Sequence, residues 1–85
     1  MIATVCETLE EFELAGPGAV YWANDTSLFN KCPGCGRSAV LRIGGDVRPR
    51  WILESAEPLT LSPSAHSVGC CGWHGFLRGG EWVSC

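Results

Sequence analysis

The chain has 85 residues, six of them cysteine and four tryptophan, with a formal net charge of −3. A chain this short buries only roughly 60 to 65% of the surface that its unfolded form exposes, so a staple beyond the apolar core is expected. Its acidic balance argues against the strongly basic face of a typical nucleic-acid binder, and no run approaches the ~18 apolar residues of a membrane span.

The charge is unevenly spread. Glu7, Glu10, Glu11, Glu13 and Asp25 face no Lys or Arg within residues 1–25, giving −5, whereas residues 26–85 sum to +2. Met1 to Glu7 has no basic stretch and no sustained apolar run, so it does not read as a secretory signal. A reducing, cytoplasmic setting is therefore expected, and there closely spaced cysteines favour a metal over a disulfide framework.

In chain order, Ile2 to Val5 reads as a short first strand. Thr8-Leu9-Glu10-Glu11 matches a capping box, with Leu9 and Phe12 on one face of a helix of one or two turns that Gly16-Pro17-Gly18 stops. Ala19 to Ala23 reads as a strand ending near Asn24-Asp25, and Ser27 to Lys31 leads into Cys32-Pro33-Gly34-Cys35-Gly36. Ala39 to Ile43, Arg50 to Glu54 and Pro58 to Leu61 are further strands. Ser62-Pro63-Ser64 turns the chain toward Cys71-Gly72-Trp73-His74-Gly75. Gly75 to Arg78 and Glu81 to Val83 flank Gly79-Gly80, a two-residue connection suited to a type I′ or II′ hairpin.

The two knuckles read as halves of one site. Each places two metal-capable side chains three positions apart and closes on a glycine, whose positive φ lets backbone amides turn toward the sulfurs. Cys32, Cys35, Cys71 and His74 complete a tetrahedral set for one structural Zn2+. Cys70 is an alternative to Cys71, since its spacing to His74 is also tolerated. His66, alone in a Ser-rich turn, is read as a surface histidine, and the roles of Cys6 and Cys85 stay open. Four protein ligands leave no open position for water, and three thiolates blunt Lewis acidity, so the ion is expected to be structural and the chain not an enzyme. A histidine in the set points to zinc rather than to a four-thiolate iron site.

The expected fold is mainly β, a single antiparallel zinc-ribbon-like domain spanning 1–85 with at most one short N-terminal helix. Trp22, Trp51 and Trp82 are expected in packing. Trp73, at a knuckle tip, either packs on the opposing knuckle or anchors a partner. Arg48 and Arg50 beside Trp51, and Glu10 and Glu11 on the helix, are the other candidate partner-binding residues.

With these residues in place the chain resembles a family of small, uncharacterised bacterial and phage proteins classed as a domain of unknown function. The resemblance rests on Pro17 to Trp22, on the first knuckle, on Leu59-Thr60-Leu61-Ser62-Pro63-Ser64, and on Cys71 to Phe76 followed by Gly80-Glu81-Trp82. It implies an accessory gene of phages and mobile elements, in some cases beside bacterial ubiquitin-like conjugation genes, with no catalytic residue to carry over. The function expected is a zinc-binding protein interaction module, an inhibitor or adaptor acting on a host complex. The alternatives are a nucleic-acid-binding ribbon using Arg37, Arg42, Arg48 and Arg50 with Trp51, and an accessory factor of ubiquitin-like conjugation.

Overall fold

The computed structural model describes residues 1–45, 50–62, 65–66 and 71–84. Among these residues one helix, α1 (Leu9–Leu14), precedes eight strands: β1 (Val20–Asn24), β2 (Ser27–Lys31), β3 (Ser38–Arg42), β4 (Ile52–Ala56), β5 (Leu59–Ser62), β6 (Ala65–His66), β7 (His74–Arg78) and β8 (Glu81–Ser84). They form three antiparallel sheets, ordered β1-β2-β3, β4-β5 and β6-β7-β8. The fold is mainly β with one short helix, as the sequence suggests.

Helix α1 begins where the capping box places it. The Glu11 N–H donates to Thr8 Oγ1 at 3.1 Å, and the Glu11 carboxylate accepts from the Glu7 N–H at 3.3 Å. The first bond satisfies one of the donors a helix start leaves exposed, and the second ties the residue before the cap to the first turn. Phe12 is buried, whereas Leu9 is 44% exposed, so the expected shared face reduces to one anchoring ring.

Alternation along β2, and along β1 up to Trp22, gives the first sheet two working faces. Val20 and Leu28 enter the main core with Ala3, Leu41, Ile43, Leu59, Leu61, Leu77 and Trp82, drawn from all three sheets. Tyr21 and Phe29 point the other way and pack on Cys6, Phe12 and Ala19 under the helix. Buried Asn30 is satisfied by donating to the Ala39 carbonyl at 3.3 Å.

The Gly79-Gly80 connection is the tight hairpin expected. Both residues have positive φ, 61° and 76°, as a type I′ turn requires. The turn also ties two sheets together, because the Gly80 N–H donates to the Leu59 carbonyl and the Gly79 N–H to Thr60 Oγ1, each at 2.9 Å.

Three expectations shift. Ile2 to Val5 makes only isolated bridges, to Glu81 and Val20, because it crosses between two sheets instead of lying along one. Ser27–Lys31 is a full central strand, and Ala65–His66 is a short strand where a turn was read. Among the described residues no helix is long and apolar enough to cross a membrane.

Candidate metal centre

The first knuckle is the loop that closes the β2–β3 hairpin just beyond the last strand pair, Lys31 and Ser38. The Cys32 N–H donates to the Arg37 carbonyl at 2.8 Å, and the Gly36 N–H returns to the Cys32 carbonyl at 2.7 Å. Gly36 has a φ of +80°, the conformation its position calls for. Inside the loop the Gly34 N–H points at Cys32 Sγ, 3.3 Å away, a contact that favours thiolate charge.

The fold delivers Cys71 to this loop. Cys32, Cys35 and Cys71 have their sulfurs within 4.8 Å of one another, and Cys32 Sγ lies 3.5 Å from Cys71 Sγ. Bonds of about 2.3 Å to a tetrahedral zinc place two sulfurs about 3.8 Å apart, so the three donors fit such an ion. Cys32 is buried, while Cys35 and Cys71 face the surface. Cys35 is also in a disulfide, which the expectation of three thiolates and a histidine did not include. Crowded sulfurs have two chemical outcomes, oxidation to a disulfide or ligation of a cation, and only the reduced form offers a thiolate.

His74 opens β7 and is exposed; it is not part of this sulfur group. The fourth position of the expected set is thus not filled by the described cluster. Cys70 and Cys85 lie outside the described residues.

The second knuckle differs from the first in its glycines. Gly75 has no positive φ; it is a strand residue, and a Cβ there would strike the Val83 carbonyl and sit 2.6 Å from the Trp73 ring. The left-handed turn falls instead at Gly72, with φ +78°.

Trp73 packs. It lies against Gly34 of the opposing knuckle, where an added Cβ would come within 3.2 Å of Trp73 Cβ, and meets Trp82 edge-on with centroids 5.6 Å apart. Trp51 and Trp22 are likewise half-buried against the main core. Arg50 is half-buried, Glu10 and Glu11 are exposed on α1, and Arg48 lies outside the described residues.

Strands β5, β6 and β7 carry a second set of polar residues. Ser62, the last residue of β5, donates from Oγ to Glu54 Oε1 at 2.9 Å. Three residues later β6 begins, and in its pairing with β7 the backbone sets His66 opposite His74. Ser64 and Ser67 lie in the same stretch of sequence, outside the described residues. Leu59 to His66 carries two serines and a histidine, and its last part was read as a turn.

Residues 5–85 match the model of the family described as Bacterial ubiquitination-like system serine protease (BubE). No curated protein and no solved structure matches the chain. The match overturns the expectation that the chain is not an enzyme, since the family's description is that of a peptidase. The physical reason is that a serine nucleophile and its histidine keep no fixed spacing in sequence and are recognised by geometry, whereas the knuckles advertise themselves by spacing and drew attention to a structural ion. The match covers nearly the whole chain, and the chain belongs to this family.

Proposed function

We propose, from its membership of the BubE family, that this protein is a small serine peptidase acting on polypeptides of a bacterial ubiquitination-like system. The observations that support the reading are the register that sets His66 opposite His74 and the serine that ends β5 four residues before His66 in sequence. A serine peptidase needs a hydroxyl nucleophile and an imidazole within hydrogen-bond reach. The 62–67 stretch supplies three serines and one histidine, and β7 supplies the second histidine.

In this reading a serine Oγ attacks the scissile carbonyl carbon while the histidine takes its proton. The C–N bond breaks, the amine leaves with that proton, and water then splits the acyl-enzyme, returning the serine. Ubiquitin-like proteins with a C-terminal extension, or joined to another polypeptide, are the substrates the family's description favours.

The metal site takes a supporting role. We assign Cys32, Cys35 and Cys71, in their reduced form, to a structural ion, with the fourth position filled by Cys70 or by His74. Sulfur-rich ligation of this kind adds folding free energy to a chain with a small core. If His74 serves the peptidase, Cys70 completes the ion's shell.

The test is labelling with a fluorophosphonate probe and cleavage of a ubiquitin-like protein carrying a C-terminal extension. Serines 62, 64 and 67 are changed to alanine one at a time, and His66 and His74 to asparagine. One serine variant loses both labelling and cleavage while keeping its melting temperature. Unchanged labelling and cleavage in all five variants sinks the reading.

A further inference from the structure

A groove of about 530 Å3 opens between the first and second sheets, lined among the described residues by Trp22, Asn24, Asp25, Leu53 and Ala56. Ligand and side-chain sites run from about 300 to 1,000 Å3. It lies away from both sites already described. The β1–β2 turn is at the opposite end of β2 from the cysteine loop, and four residue steps of about 3.3 Å put roughly 13 Å between those ends. On the second sheet Leu53 pairs with Leu61 and Ser62 with Ile52, so Leu53 and Ser62 face opposite sides.

The lining has a definite chemical asymmetry. Trp22 is held against the core, and Leu53 is 39% exposed, so two walls are apolar and open to solvent. The side-chain oxygen of Asn24 is occupied, accepting from the Thr26 N–H at 2.9 Å and the Thr26 hydroxyl at 3.0 Å. That leaves Asp25 as the one charged group among the described lining residues. Its carboxylate has no hydrogen-bond or ion-pair partner among the described residues. The segment that carries it, residues 1–25, holds five acidic residues and no basic one.

We infer that this groove seats an arginine or lysine side chain of a polypeptide partner, its aliphatic stem along Trp22 and Leu53 and its cation at the Asp25 carboxylate. A purely apolar occupant would strip water from Asp25 without replacing it, and an anion would be repelled. A long cationic side chain satisfies both parts of the lining, burying its methylenes while its head pairs with the acid and lies near the indole face. The binding is separate from hydrolysis and holds whether or not the chain cleaves its partner.

The experiment is a titration of the full chain, followed by amide and indole NMR signals, with N-acetyl-arginine methylamide and N-acetyl-lysine methylamide. The citrulline and norleucine analogues serve as neutral controls. Saturable shifts at Trp22, Asp25 and Leu53 are expected with the cationic probes. The neutral analogues bind about fivefold more weakly, the loss expected of a solvent-exposed ion pair. In Asp25→Asn, a substitution in an exposed turn that leaves the remaining spectrum in place, the preference for the cation disappears. Equal binding of citrulline and arginine, shifts confined to other surfaces, or a cation preference that survives Asp25→Asn would each overturn the inference.

Discussion

The sulfurs of Cys32 and Cys71 lie 3.5 Å apart although 39 positions separate them in sequence. That proximity requires the first and third sheets to be docked, so whatever acts on these sulfurs acts on the tertiary fold. Reduced protein is expected to take up one thiophilic divalent ion, and oxidised protein to take up none, because a disulfide sulfur carries no thiolate charge. Elemental analysis of the two forms checks this. Chelation of the reduced form should lower its melting temperature, and Cys32→Ser should cost about 3 kcal/mol or more. Fully reduced protein without metal would refute the assignment.

Two glycines near the sulfurs should fail differently. In Gly34→Ala the new Cβ falls 2.6 Å from Cys71 Sγ and 3.2 Å from Trp73 Cβ, so the loop must move away from the second knuckle. Metal affinity should drop about tenfold or more, as expected for overpacking of this size. Gly72→Ala meets nothing within 4 Å and only strains a φ of +78°, a cost of about 1 to 2 kcal/mol in stability. Parallel metal titrations and urea melts separate the two.

Trp82 should prove the most sensitive aromatic residue to conservative change. Its indole N–H donates to the Gly18 carbonyl at 2.8 Å in the buried interior. Trp82→Phe leaves that carbonyl unpaired and should cost about 1 to 3 kcal/mol. Val83→Ala, at a site 42% exposed, should stay within about 0.5 kcal/mol. Urea denaturation of both variants provides the comparison.

Cys6 should alkylate more slowly than a free thiol. Burial pushes its pKa up, the negative charge of Glu11 adds to this, and Lys31 pulls weakly the other way. The folded chain thus holds the thiol proton more tightly than the unfolded chain does. The associated stability is present below the ordinary thiol value of about 8.5 and is lost as pH rises through the higher folded value. Iodoacetamide labelling against pH, read by mass spectrometry, should show Cys6 reacting only at pH above that of a free thiol. Glu11→Gln should move that onset down.

Local rules made parts of this fold readable in the sequence. Thr8 and Glu11 carry their helix start within four residues, and Gly79-Gly80 specifies a hairpin by itself. The proximity of Cys32 and Cys35 follows from one tight loop. What stayed hidden depends on distant partners. Ser27–Lys31 becomes a central strand only because β1 and β3 pair with it on either side, and β6 is a strand only because β7 meets it. The relation of His66 to His74 appears only in that pairing. The cysteine spacing made Cys32, Cys35 and Cys71 legible as one group among the described residues, although Cys71 comes from a distant part of the sequence.

The first residues of the chain have a consequence for assembly. Ala3 donates to the Gly80 carbonyl and Trp82 to the Met1 carbonyl, while Val20 donates to the Thr4 carbonyl and Cys6 to that of Val20. One extended segment therefore laces the third sheet to the first, and half of its partners are at the far end of the chain. On a ribosome those partners emerge about 80 residues after the segment they bind, so the lacing must wait until residues 80–82 have been made. Contacts of such long sequence separation form late, after a loop of about 80 residues has closed. A nascent chain stopped before residue 80 would expose the main-chain edge of residues 1–3 along with the apolar face around Val20. Completion of the β7–β8 hairpin is thus the event that lets this lacing form.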